Sequence, residues 1–383
     1  VNLPDLTAAS TRRALAGMRG DETRTGDAYA RAIWSVLVEP GDGVAGALIQ
    51  RHGAEDALRV ALTASGETLS EARARWLPRM RPVLISAALE AARRAGAALV
   101  VPGDDDWPAR LDDLGEHAPI ALWRRGRTSR NDAPVVALVG ARASTAYGEG
   151  VAADLAADLA SEGVTVVSGA AYGIDGAAHR AALSVGGATS AFLAGGVDRS
   201  YPRGHEGLLA RIAESGGVWS ETPCGAAPTK WRFLSRNRLI AATADVVVVV
   251  EAGWRSGSLN TAAHAATLGR ALGAVPGPVT SAASAGCHRV LREYDGVCIT
   301  SAGDVREMLG AGSGGGGTED SRTDDTTRVV DALSARTART TAEVARRSGV
   351  ASTQAAVLLG FAELDGRAFR DDDGQWLLRR QGT

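Results

Sequence analysis

The residues best equipped for chemistry lie in one stretch, Lys230–Thr261, KWRFLSRNRLIAATADVVVVVEAGWRSGSLNT. Lys230, Arg232, Arg236 and Arg238 are interleaved there with Trp231 and Phe233. On a helix Arg232 and Arg236 share a face, as do Phe233 and Asn237. Cations for phosphates beside flat rings for bases is the chemistry of a protein that grips unpaired nucleic acid. A solvated helix with two rings turned into the core fits the same residues equally. Further along, Gly253, Ser256, Gly257 and Ser258 precede an apolar-periodic segment, Leu259–Leu268, that should be helical. Glycine lets the backbone approach a ligand and the first amides of a helix face whatever lies there, so this loop suits a phosphate. Lys230 is the only lysine in a chain that otherwise uses arginine.

Catalytic patterns are harder to find. Ser144, Ser168, Ser256 and Ser258 fall in loops, but none sits in a G-x-S-x-G elbow. Asp175 and His179 are at helical spacing and could orient a general base, although a hydrogen bond at a helix start accounts for them as well. The six histidines form no H-E-x-x-H pattern, and Cys224, Cys287 and Cys298 have neither C-x-x-C nor zinc-ligand spacing. The expectation is therefore no catalytic residue, no metal, no cofactor and reduced thiols. Gly140 opens no G-x-G-x-x-G fingerprint, and Ser168-Gly169 stands where a nicotinamide enzyme would place an acid for the ribose.

These residues need a frame to hold them. Ala244–Val250 is a β-branched run without alternation, the pattern of a strand covered on both faces. Pro134–Val139, Val164–Val167 and Ala188–Leu193 read as further strands, Val218–Ser220 as a short one, with helical segments between them. Alternation of this kind implies βαβ units and a mainly parallel sheet. Small residues follow the strands at Gly140–Ser144, Ser168–Asp175 and Ala194–Asp198, so the loops should converge on one anionic ligand at the carboxyl edge. Before this region, residues 1–97 read as a helical domain of SAM-like or helix-hairpin-helix type, with breaks at Glu39–Gly43 and Arg51–Gly53. Residues 98–310 form the α/β core, and 311–325, Gly-rich then acidic, a linker. Residues 326–383 outline helix, helix, helix and hairpin, as in a winged helix. The third of those helices, Thr353–Leu364, carries Glu363 and no Arg or Lys, which favours a protein contact over a duplex groove. A net charge of −2 over 383 residues provides no global basic field, so any polyanion site must be local. No apolar run approaches a membrane span and no signal-peptide core is visible, so the expected location is cytoplasmic.

An ordered set of motifs from Val101 to Leu291 resembles the bacterial DNA-processing protein A family, DprA or Smf. The set comprises Asp106-Trp107-Pro108; Val139–Arg142 with Ser144, Tyr147 and Gly148; Ser168-Gly169-x-Ala171-x-Gly173-Ile174-Asp175 with Ala178-His179; and Tyr201-Pro202. It continues with Ser220-Glu221, Phe233, Arg236-Asn237-Arg238, Glu251-Ala252, Ser256-Gly257-Ser258, Thr261-Ala262 and Pro276-Gly277. The resemblance implies an extended Rossmann-like core that binds single-stranded DNA, forms homodimers and helps load RecA onto strands covered by single-strand-binding protein, as in natural transformation. It also implies an N-terminal SAM-like domain, a C-terminal winged helix and no enzymatic activity. By motif, Arg142, Lys230, Arg236 and Arg238 would hold phosphates. Ser168-Gly169 and Ser256-Gly257-Ser258 would supply donors and Phe233 a base contact, with Ser144, Trp231 and Asn237 beside them. His205 and His288 stand where the family has Asn, and Ala141 where Ser is commoner; both imidazoles can still donate a hydrogen bond. The rival is a nucleotide N-glycosidase of the lysine-decarboxylase-like phosphoribohydrolase type. That group carries P-G-G-x-G-T before a catalytic Glu, whereas here Glu251 precedes the Gly/Ser loop.

Overall fold

The computed structural model describes residues 5–20, 23–63, 67–127, 133–313, 325–335, 337–364, 366–371 and 373–379. Two compact units are present, Val1–Ser313 and Gly314–Thr383. The linker expected at 311–325 lies for the most part, 314–324, outside the described residues.

The first unit opens with six helices: α1 (Ala8–Leu15), α2 (Thr25–Leu37), α3 (Gly43–His52), α4 (Ala54–Thr63), α5 (Glu67–Trp76) and α6 (Pro82–Arg94). The Glu39–Gly43 break is a turn into α3. Gly41 takes φ +79°, and Asp42 caps the helix by accepting from the amides of Val44 and Ala45, each at 3.1 Å. Gly53 ends α3 at φ +78°. Both glycines therefore serve turns, where a positive φ costs them no Cβ clash. The helices share a continuous core with the sheet that follows: Ile33, Trp34 and Leu58 belong to the same buried cluster as Trp123, Ala191 and Val218.

The sheet has nine strands: β1 (Ala98–Val100), β2 (Leu122–Gly126), β3 (Val135–Gly140), β4 (Thr165–Ser168), β5 (Thr189–Phe192), β6 (Gly217–Ser220), β7 (Val246–Glu251), β8 (Ala271–Ala274) and β9 (Val297–Cys298). Their order is β1-β2-β6-β5-β4-β3-β7-β8-β9. The pairs β1/β2 and β2/β6 are antiparallel and the rest parallel, a mostly parallel α/β sheet as expected. Beyond the strands read from sequence lie β1, β2, β8 and β9, too short or too plain in composition to stand out.

The connecting helices are α7 (Ala146–Ser161), α8 (Ile174–Ser184), α9 (Glu206–Ser215), α10 (Lys230–Thr243), α11 (Ser258–Thr267), α12 (Ala285–Glu293) and α13 (Ala302–Ser313). The valine run is covered on both sides: Val246, Val248 and Val250 pack with residues of α7, α8 and α13, while Val247 and Val249 pack with α10, α11 and α12. Burial on alternate faces, at about 1.5–3 kcal/mol per side chain, is why no polar residue interrupts it. The chain winds outward from β3 through β4, β5 and β6, then returns to β7 on the other side of β3. The two halves thus part between β3 and β7, the switch point where ligands of open α/β sheets bind.

The second unit contains α14 (Asp325–Asp331), α15 (Thr341–Ser348) and α16 (Ser352–Leu364), then β10 (Ala368–Arg370) and β11 (Trp376–Leu378), paired antiparallel. It has its own small core, including Val329, Val344, Leu359 and Trp376. Thr340 caps α15 through the amide of Glu343, and the indole of Trp376 donates to Thr341 at 3.0 Å.

Candidate nucleic-acid interface

At the switch point the loops after β3 and β7 diverge, and α10 closes the gap between them. The result is a cleft of about 830 Å³. Its walls are Val139–Ala143 from the β3 loop, Gly253 and Arg255–Ser258 from the β7 loop, and Lys230, Phe233, Leu234, Arg236 and Asn237 from α10.

Each wall is fixed by contacts that the local sequence dictates. Glu251, at the end of β7, accepts from both the amide and the hydroxyl of Thr145, each at 2.7 Å. Thr145 in turn caps α7 at the amide of Gly148. A Cβ at Gly148 would come within 2.6 Å of that carboxylate, so only glycine fits. Asn237 donates to the carbonyl of Gly257 at 3.1 Å, tying α10 to the Gly/Ser loop, where the Ser256 and Ser258 hydroxyls meet at 2.8 Å.

The outer face of α10 is fastened to the turn before α3. Glu39 accepts from Arg232 at 2.9 Å through both oxygens and from Arg79 at 2.7 Å. Burial raises the pKa of Glu39, but hydrogen bonds and charge from Arg232, then Arg79, outweigh it and leave the group below its ordinary value. Ser235 donates to the Pro40 carbonyl at 2.8 Å. Arg238, 5 % exposed, pairs with both oxygens of buried Glu221 at 2.8 and 2.9 Å, and Glu221 also accepts the Gly41 amide at 3.1 Å. Burial pushes Glu221 up, opposed by the Arg238 charge.

Three cations line the cleft without a carboxylate partner among the described residues: Arg142, Lys230 and Arg255. Arg142 lies over the ring of Phe233, 4.5 Å from its centroid, and Tyr201 approaches the same ring at 5.3 Å, tilted by 53°. Arg236 also faces the cleft but is 6 % exposed and donates to the Phe192 carbonyl at 2.6 Å. Burial pushes its pKa down to about 10, against the pull of nearby Asp175 and with the push of Arg142, so it stays charged. The one carboxylate in the cleft wall, Asp175, is occupied by the amides of Gly169 at 3.1 Å and Ala171 at 3.3 Å. Burial raises its pKa, with Arg236 acting the other way.

Of the residues singled out from sequence, Arg142, Lys230, Phe233, Arg236, Asn237, Ser256, Gly257 and Ser258 come together here. Five do not. Arg238 is held in the Glu221 pair on the far side of α10, a correction with a simple cause: residues two apart on a helix cannot face the same way. The Ser168 hydroxyl is fully buried and donates to the Leu138 carbonyl at 2.6 Å, and the Gly169 amide is taken by Asp175, so neither offers a donor to a ligand. Gly169 instead makes room: a Cβ there would lie 1.8 Å from the guanidinium of Arg236. Ser144 donates to Glu149 at 2.7 Å. Trp231 is exposed outside the cleft wall. The cleft adds Arg255, legible only as the neighbour of the Ser256-Gly257-Ser258 motif, and Tyr201, which the Tyr201-Pro202 motif names without giving it a role.

Asp175 and His179 do not bond to each other. His179 is fully buried against the Thr189 hydroxyl at 2.7 Å, and burial, then the charges of His205, Arg236 and Arg180, push its pKa down to about 3. His205 and His288 bond to backbone carbonyls, of Ala170 at 3.0 Å and Gly277 at 2.9 Å. Burial pushes the Cys224 and Cys287 thiols up to about 12. A larger cleft of about 1150 Å³ opens at the amino edge of the strands, but its cations Arg110 and Arg270 are paired with Asp245 and Asp113. Charge, rather than volume, therefore distinguishes the smaller cleft. No helix among the described residues is long and apolar enough to cross a membrane.

A doubly wound sheet with a cationic, aromatic cleft at its switch point places the protein among the open α/β proteins, whose ligands sit at that position. The chain belongs to the DNA recombination-mediator protein A family, whose model matches residues 98–310. That family is one of DNA-binding mediators rather than enzymes. The chain is 48% identical over 315 residues to a putative DNA processing protein DprA of Mycobacterium tuberculosis, covering 77% of this chain and 80% of that one. It is 38% identical over 212 residues to protein Smf of Escherichia coli, 55% of this chain and 56% of the relative. The X-ray structure of DprA from Streptococcus pneumoniae aligns at a TM-score of 0.60 and 30% identity, over 72% of this chain and 95% of that one. DprA from Helicobacter pylori, described for its single-stranded DNA binding mode, aligns at 0.51 and 29% identity, over 56% and 96%.

Proposed function

We propose that the cleft between the β3 and β7 loops binds single-stranded DNA. Phosphates would be held by Arg142, Lys230 and Arg255, a base stacked at Phe233, and further polar contacts made by Asn237, Ser256, Gly257 and Ser258. The observation that carries this reading is the set of three cations lining one cleft with no carboxylate partner among the described residues, one of them, Arg142, over the Phe233 ring, in a chain whose net charge is −2. Counter-charge from a polyanion and stacking from its bases would complete the site, with little regard to sequence. The single-stranded DNA binding described for the Helicobacter pylori relative supports it.

By the same reading the chain is a recombination mediator that protects incoming single strands. It would hand them to RecA past single-strand-binding protein, as a homodimer in the cytoplasm, in natural transformation or related DNA processing. The C-terminal unit is read as a winged helix that contacts protein. Glu251, the acid a glycosidase reading would need, is fully engaged by Thr145, which argues against nucleotide hydrolysis. Fluorescence anisotropy with an oligonucleotide and its duplex is the test: preference for the single strand supports the assignment, and equal binding of both overturns it. Incubation with nucleoside monophosphates should release no free base. RecA filament formation on strands coated by single-strand-binding protein should be accelerated by the protein; no acceleration would remove the mediator role.

A further inference from the structure

Six of the eight tryptophans are buried, whereas Trp231 is 61 % and Trp254 59 % exposed. Nothing assigned so far uses Trp254. It stands between Gly253 and Arg255, which both line the cleft, and is not itself part of the cleft wall. The loop that presents it is stiff. The Ser256 amide closes a turn on the Gly253 carbonyl at 3.0 Å, the Gly286 amide pins Ala252 from behind at 2.7 Å, and Asn237 holds Gly257. The guanidinium of Arg289 lies 5.4 Å from the ring centroid and is itself steadied by Glu293 at 2.6 Å. A large ring held rigid in water forfeits hydrophobic burial and has little conformational entropy left to lose when something stacks on it.

We propose that Trp254 is a second base-stacking platform, which extends the path of a single strand out of the cleft and over the β7 loop. This rests on the reading of the cleft as a single-strand site. The surrounding charge selects a nucleic acid over a protein surface: Arg255 is unpaired among the described residues, Arg292 on α12 is exposed, and the only adjoining acid on that helix, Glu293, is occupied by Arg289. A backbone leaving the cleft past Arg255 would set the next base against the open side of the indole, with Arg289 behind the ring reinforcing the stack.

The test is a thymidylate series from about 4 to about 16 nucleotides, spanning the footprints usual for single-strand sites, with wild type, W254A, W254F and K230A. For W254A the longest oligomers should bind about tenfold more weakly, as for loss of one stacked base, and the shortest as wild type does. W254F should recover most of the loss, and the salt dependence of W254A should match wild type because no phosphate contact is removed. Thermal unfolding of W254A at the wild-type midpoint excludes a folding effect, and W254F provides the same comparison should W254A unfold early. The proposal is overturned if W254A matches wild type at every length while K230A is weakened, or if W254A weakens all lengths alike. Should K230A also bind as wild type, the single-strand reading of the cleft fails first and this extension with it.

Discussion

Residues of the same type have opposite fates here, decided by what surrounds them. Arg142, Lys230 and Arg255 line the cleft with no carboxylate partner among the described residues, whereas Arg238 is buried in a pair with Glu221. Arg238→Ala should therefore cost about 3–5 kcal/mol of stability, because it strands a buried carboxylate. Lys230→Ala should leave the urea midpoint unchanged, and equal midpoints for the two variants would contradict this division. The helical spacing of Arg236 and Arg238 already places them on opposite faces, but their partners were out of reach: Glu221 follows β6, and Phe192 ends β5. Burial of His179 has a consequence in acid. The folded state holds it neutral down to about pH 3, while the unfolded chain takes up a proton below the ordinary value of 6.5. Between those values the unfolded state binds more protons, so stability falls by about 1.4 kcal/mol for each pH unit of acidification from this group alone. His264, also lowered by burial and then by Arg238, acts in the same direction. Urea titrations at pH 7, 6 and 5 should show this slope, reduced in His179→Gln; an unchanged slope in that variant would contradict it.

At the scale of elements, the site depends on where loops end and what they rest on. Gly173 precedes α8 at φ +75°, and a Cβ there would lie 2.3 Å from the carbonyl of Ala141, in the loop that carries Arg142. Gly173→Ala is therefore expected to cost about 1–3 kcal/mol from backbone strain and to weaken single-strand binding as well, since either the β3 loop or α8 must shift. A variant that melts and binds as wild type would show that the loop is not seated on this glycine. The valine run was legible as a strand because burial on two faces removes alternation, and the helix over Leu259–Leu268 because its apolar period is intact. The switch point was not legible, since strand order depends on pairing between distant segments. The Gly-rich loops were legible as important but not in their role. Gly169 reads as a ligand-binding position, yet the structure uses it to let Arg236 pass.

At the scale of the whole molecule, residues before β1 are part of the site's foundation. Helices α1–α6 share one core with β1, β2, β5 and β6, and the Glu39–Gly41 turn braces α10 through Arg232, Ser235 and Glu221. The composition change near Ala98 is clear in sequence, but continuity of packing across it is not, because it is made by contacts such as Trp34 and Trp123 in one cluster. A fragment beginning at Ala98 should accordingly lose cooperative unfolding, whereas one ending at Ser313, the limit of the first compact unit, should melt as the full chain's first transition does. Calorimetry of the two fragments checks this, and a cooperative transition in the first would contradict it. The central claim is that three unpaired cations on one cleft hold the phosphates of an unpaired strand, and it is met most directly by the salt dependence of single-strand affinity. Arg142→Ala, Lys230→Ala and Arg255→Ala should each lower the slope of log K against log salt by about 0.7, the value for one lost phosphate contact. Wild-type slopes and affinities in all three variants would place the strand elsewhere on the molecule.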